Sequence, residues 1–201
     1  MNARETILTA ISTNKPAFRE APEVAVPAEK DPAILLKKFS DLVAVMGGSV
    51  KQVSSFEAIA KDLLEEKAAA QGHIVNTVKE IGDTNPEISS ERTPTDLARV
   101  EKAYIRGTIA VAENGAIWVK ESDMQHRLLP FLCQHLAIMI NAATIVDNMH
   151  EAYKQITVNE EGYGLFIAGP SKTADIEQSL VVGAHGPKSL LVYIVVNGSL
   201  S

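Results

Sequence analysis

The chain has 201 residues, 46% of them hydrophobic and 22% charged, with a formal net charge of −6. That is enough for one generous domain, or one domain carrying an extra arm, built on a sizeable core. Acids and bases are mixed along the chain rather than blocked, which argues against a nucleic-acid surface and against a polybasic membrane contact. A small basic pocket for an anionic metabolite stays compatible with that balance.

The opening residues Met1 to Leu8 lack the apolar stretch of a signal peptide. The longest apolar run, Leu190 to Val196, is far short of the roughly 18–20 residues that span a bilayer. A cytoplasmic protein without a membrane span is therefore expected. Cys133 is the only cysteine, so there is no internal disulfide and no set of thiolates for an iron–sulfur cluster. His73, His126, His135, His150 and His185 show no H-E-x-x-H or comparable spacing. The expectation is a chain that binds no metal or redox cofactor of its own.

Residues 2–12 read as a short amphipathic helix with Ile7, Leu8 and Ile11 on one face. Pro16, Pro22, Pro27 and Pro32 then punctuate an extended arm. This arm is either a tail or a segment packed on the domain or a neighbouring subunit, so residues 1–30 are set apart from a domain over 31–201. Asp31-Pro32 is a helix start, followed by the stripe Leu35, Phe39, Leu42 and Met46 and the stop Gly47-Gly48. Val50 to Val53 reads as a strand. Ser54-x-x-Glu57 is a capping box opening a helix with Phe56, Ile59, Ala60, Leu63 and Leu64 inward, and Ile74 to Val78 is the next strand. Alternating helix and strand predicts an α/β fold with a mostly parallel sheet flanked by helices. The run Ile109 to Val119, with Asn114-Gly115 in its middle, predicts a β-hairpin insertion. Helix 127–133, strand 136–140 and helix 144–155 resume the alternation. Strand 163–168, helix 173–182 and the apolar strand 190–196 complete it, the last fit for burial on both faces. Trp118 and Cys133 read as packed residues, and His126-Arg127 as a solvated helix start or an anion contact.

The most informative segment runs from Gly169 to Pro187. A strand leading into a helix N-terminus is a place where free N–H groups and the helix dipole favour an anion. Gly169 permits close approach, Ser171 and Thr173 supply hydroxyls, and Lys172 supplies charge. The same residues also read as caps, with Asp175 and Glu177 complementing the dipole of a first turn. His185 stands between Gly183 and Gly186, followed by Pro187, on backbone able to aim an imidazole as acid, base or anion partner.

Gly169-Pro170-Ser171-Lys172-Thr173-Ala174-Asp175-Ile176-Glu177, followed by Gly183-Ala184-His185-Gly186-Pro187, resembles the signature of LUD-domain proteins of the lactate-utilization protein C type. Ala112-Glu113-Asn114-Gly115-Ala116 is similar to that family's second landmark, often Ala-Glu-Thr-Gly-Thr, with Asn114 and Ala116 standing in place of threonines. The likeness extends from roughly Asp31 to Val196. It implies a fold similar to the ribose-phosphate isomerase and CoA-transferase group. It also implies a role with two partner proteins, at least one carrying iron–sulfur clusters, in oxidising L-lactate to pyruvate. On that resemblance Gly169, Ser171, Lys172, Thr173, Asp175, Glu177 and Gly186 become candidate ligands of a small carboxylate or phosphate, with His185 as a catalytic candidate.

Glu113-Asn114-Gly115 also resembles the Glu-Asn-Gly of CoA-transferases, whose glutamate attacks an acyl-CoA thioester. Glu113 is thus either a nucleophile or the residue before a turn. A nucleotide- or folate-binding enzyme is a weaker reading, because there is no Walker A run and no G-x-G-x-x-G after a strand. A homo-oligomer using the N-terminal arm is compatible with the sequence. The anion-site reading makes one geometric demand: the Ser171–Thr173 turn and His185 must share a cavity.

Overall fold

The apolar run near the C-terminus becomes the middle of the fold. Strand β11 (Ser189–Val195) lies between β1 (Ser49–Val53) and β6 (His135–Asn141), parallel to both. Strands β3 (Val100–Arg106) and β2 (His73–Asn76) extend the sheet beyond β6, in the order β1-β11-β6-β3-β2, all parallel. Successive residues of a strand point to opposite faces. Leu190, Val192 and Ile194 therefore enter one core, while Tyr193 and Val195 enter another. Both faces are covered, which is why β11 has no polar alternation.

The structure is a computed structural model and describes residues 2–20, 22, 26–70, 72–85, 93–157, 162–173, 181–183 and 185–196, with Thr173, Val181 and Val182 described by backbone alone. The expected α/β architecture is present: a parallel sheet flanked by helices, with a hairpin inserted between β3 and β6.

One face is covered by α3 (Phe56–Ala69), which buries Ile59 and Leu63. Leu64, expected inward, is 66% exposed; one step along a helix turns a side chain about 100° from its neighbour, so it leaves the stripe that Leu63 occupies. The N-cap of α3 is Ser55 rather than Ser54, and it makes no side-chain cap bond. The other face is covered by α2 (Pro32–Val45) and a second sheet. Asp31 caps α2 as expected, its carboxylate accepting from the Ala33 N–H at 2.8 Å, and Leu35, Phe39 and Val43 are buried.

The second sheet has the order β7-β4-β5-β8, with β7 (Ile145–Val146), β4 (Ile109–Val111), β5 (Ala116–Lys120) and β8 (Gly164–Ile167). The expected hairpin is β4–β5, closed by the four residues 112–115. Val111 pairs with Ala116, only Gly115 takes a positive φ (69°), and the Asn114 side chain accepts from the Ala116 N–H at 3.0 Å. The helix expected over 144–155 is divided: a 3-10 turn (Ala142–Thr144) and β7 precede a short α7 (Met149–Tyr153). β-Branched Ile145 and Val146 favour the strand, and β7 pairs with β4. Trp118 lies against Phe166, ring centroids 4.9 Å apart, and crosses Gly164, where a β-carbon would come within 2.3 Å of the indole.

At the N-terminus, Asn2 and Glu5 form a capping box for α1 (Ala3–Thr13), which buries none of its residues; Ile7, Leu8 and Ile11 are exposed.

Candidate functional site

Strand β8 delivers the chain to Gly169, and the end of α2 is waiting there. Gly169 has φ 74°, and a β-carbon on it would lie 2.4 Å from the Met46 carbonyl oxygen. Only glycine admits both the backbone conformation and that approach. Ser171 is then held on two sides: its N–H donates to the Pro187 carbonyl at 2.9 Å, and its carbonyl accepts from the Gly183 N–H at 3.0 Å. The two ends of the 169–187 loop are thereby closed into a neck.

The helix expected over 173–182 is not found at either end. Lys172–Thr173 forms strand β9, antiparallel to β10 (Val181–Val182), with Thr173 opposite Val181. A ten-residue helix would separate its ends by about 15 Å, whereas antiparallel partners lie about 5 Å apart. The β-branched Thr173, Val181 and Val182 suit strand at those positions. No helix therefore begins at Ser171 to Thr173, and the dipole-based argument for an anion there has no helix to rest on. Asp175 and Glu177 lie outside the described residues, as does the side chain of Thr173.

Ser171 and Lys172 share a cavity with His185 without that helix, and Thr173 is described there by backbone alone. Ser171, Lys172, His185, Gly186 and Pro187 line one cavity of about 320 Å³, together with Leu136, Leu165, Phe166 and Phe131. His185 and Gly186 also face an adjoining cavity of about 380 Å³ lined by Phe131, Leu132, Cys133, Gln134 and Gly183. Lys172 is shared with a structural contact, since a β-carbon on Gly47 would lie 3.6 Å from its Nζ. Its ammonium therefore stands beside the carbonyl end of α2, where a positive charge is favourable. Cys133 is 1% exposed, and burial pushes its thiol up to about 12. It is protonated at neutral pH, as a packed thiol rather than a nucleophile.

Glu113 does not line the cavity that Ser171 and His185 share. Its Oε2 accepts from the Met149 N–H at 2.9 Å, satisfying the first residue of α7. Arg127 pairs with Glu121 and lies over the Tyr163 ring at 5.0 Å, while His126 is buried and its Nδ1 accepts from the Leu128 N–H at 3.1 Å. Both are engaged within the protein, and neither lines the cavity of Ser171 and His185.

The loop pocket sits at the amino ends of the parallel strands: Lys188, just before β11, donates to the carbonyl of Gln134, just before β6, at 2.7 Å. In open α/β sheets ligands are commonly found at the opposite, carboxyl edge. A smaller cavity of about 70 Å³ lies there, lined by Phe56, Arg106, Gly107, Thr108, Asn141 and Thr144 among others. Sequence reasoning did not single it out, although Arg106-Gly107-Thr108 directly after an apolar strand was its available signal. Its polar groups are engaged within the protein. Arg106 pairs with Glu80 and lies over Phe56, the Asn141 side chain accepts from Ala143, and Thr108 donates to Asp123 at 3.3 Å. Among the described residues no three His, Cys, Asp or Glu side chains are grouped to hold a metal, and no helix is long and apolar enough to cross a membrane.

A parallel α/β sheet with a second, hairpin-bearing sheet packed on it belongs to a known class. The LUD domain matches residues 56–195, and the chain belongs to that family. Among its relatives is the lactate utilization protein C of Bacillus pumilus, 32% identical over 119 residues, which are 56% of this chain and 49% of that protein. The Geobacillus kaustophilus protein of the same name is 38% identical over 44% of this chain and 39% of its own length. The chain thus spans about half or less of the length of these two. With the Deinococcus radiodurans lactate utilization protein C the alignment covers 94% of this chain and 92% of the relative, at 27% identity. The crystal structure of a DUF162 family protein from Deinococcus radiodurans has the same fold, with a TM-score of 0.59 at 17% identity, covering 83% of this chain and 99% of that one.

Proposed function

We propose that this chain serves lactate utilization as a component of a system that oxidises L-lactate to pyruvate. In this reading it holds a small carboxylate or phosphate in the pocket of Ser171, Lys172 and His185. The two electrons leaving lactate pass to partner proteins, at least one of which carries iron–sulfur clusters. Three relatives bearing the name lactate utilization protein C support the system. The observation that carries the pocket is the closed neck, in which Ser171 bonds to both Pro187 and Gly183 and shares one cavity with His185. A hydroxyl, an imidazole and a nearby ammonium are suitable partners for a carboxylate head.

The test is direct. The purified chain alone, given L-lactate, should produce no pyruvate, while L-lactate or inorganic phosphate should shift the backbone amide signals of Ser171 and His185. Ser171→Ala should weaken that response. Pyruvate formation by the isolated chain would overturn the division of labour, and unshifted amides with both probes at millimolar concentration would overturn the pocket.

A further inference from the structure

The cavity is larger than a three-carbon acid requires, and one side of it is apolar. At about 320 Å³ it falls in the range that takes drug-sized ligands. L-Lactate offers a single methyl group to bury, yet the wall supplied by β8 and the 129–132 helix presents Leu165, Ile167 and Phe131. The polar groups come from different elements, the two loops that meet at Ser171 and Gly186. Two chemistries thus adjoin in one cavity: a hydroxyl with an imidazole on the loops, and an aliphatic and aromatic wall on the sheet and helix. A small anion would use the first and leave the second wet.

We propose that the pocket takes an amphipathic carboxylic acid, an aryl or medium-chain 2-hydroxy or 2-oxo acid, in preference to lactate. Its carboxylate meets Ser171 and His185, and its tail lies against Phe131, Leu165 and Ile167. This rests on the reading of the loop pocket as the ligand site and adds the class of ligand.

The experiment uses the full chain and calorimetric titration with L-lactate, L-3-phenyllactate, and the series propionate, hexanoate and octanoate. Each methylene buried should tighten binding about fourfold at most, and phenyllactate should bind at least tenfold tighter than lactate. Two variants localise the effect. Phe131→Ala, at a residue 38% exposed and so tolerant of truncation, should weaken phenyllactate and octanoate several-fold and leave lactate unchanged. Ser171→Ala should weaken every acid. If lactate binds as tightly as phenyllactate, the series is flat and Ser171→Ala still weakens binding, the inference falls while the pocket reading stands. If the long acids bind with no loss in either variant, or no acid binds at all, both fall.

Discussion

Ser171 and Gly186 meet so closely that a β-carbon on Gly186 would lie 2.9 Å from the Ser171 Cβ and 3.2 Å from its Oγ. The neck of the loop is closed by a glycine whose hydrogen is the largest substituent the contact admits. Gly186 has no positive φ, so a substitution there is opposed by crowding rather than by backbone conformation. Gly186→Ala should therefore push the two loops apart and lengthen the bond from Ser171 to Pro187. The expected cost is about 1–3 kcal/mol, the usual range for overpacking, with loss of acid binding. Urea denaturation and calorimetry read both; wild-type stability together with wild-type binding would show that the neck is loose.

Gly169 and Gly162 separate two reasons for needing glycine. Both have positive φ, 74° and 72°, but a β-carbon on Gly162 meets nothing within 4 Å, while one on Gly169 strikes the Met46 carbonyl. Gly162→Ala should cost about 1 kcal/mol from the left-handed conformation alone. Gly169→Ala should cost clearly more, because the end of α2 has to move as well. Equal losses in chemical denaturation would mean that the contact with Met46 yields freely.

Legibility in the sequence followed the distance over which each signal acts. The Asp31-Pro32 start of α2 is local chemistry and stands as read. The buried central strand was legible because Leu190 to Val196 has no polar face to turn outward. The segment after Gly169 was misread because Ser-Lys-Thr is good capping chemistry in isolation, whereas the pairing of Lys172 with Val182 is set by a partner ten residues away. Which edge of the sheet the pocket occupies was equally hidden. Strand β8 joins the second sheet rather than the parallel one, and a carboxyl end in one sheet lies at the amino end of another. Glu113 has the same character: its motif is visible in the chain, but its contact with Met149 spans 36 residues.

That contact makes a prediction of its own. Glu113→Ala should remove the acceptor for the Met149 N–H and loosen α7, at about 0.5–2 kcal/mol as for other helix caps. Binding of acids in the loop pocket should be unchanged, since Glu113 does not line it. Incubation with a panel of acyl-CoA thioesters should give no mass adduct at Glu113. An adduct found on the wild type and lost in Glu113→Ala would move this residue from a cap to a nucleophile.

The last prediction concerns acid stability and the polar layer between α3 and the sheet. Asp62 and Glu66 lie one helical turn apart on α3, on one face. Tyr193 donates to Asp62 at 2.9 Å and Tyr104 donates to Glu66 at 2.7 Å, with the two rings 6.3 Å apart. Lys51 pairs with Asp62, and Lys102 with Glu66. Burial pushes the Asp62 carboxyl up, but the hydrogen bonds from Lys51 and Tyr193 outweigh it and hold the carboxyl below its ordinary value of 3.8. The Lys38 contact likewise holds Asp147 below 3.8. A carboxyl lowered in the folded state stabilises the fold above its unfolded value, and that stability is lost as pH falls through the folded one. Unfolding free energy should therefore be level with respect to these two groups near neutrality and decline below about pH 4. Asp62→Asn should lower stability at pH 7 by about 1.5–3 kcal/mol, the range for hydrogen bonds to a charged group, and make the decline below pH 4 shallower. Denaturant titrations at pH 7 and pH 3 measure both, and an unchanged slope in the variant would mean that Asp62 plays no part in the acid response.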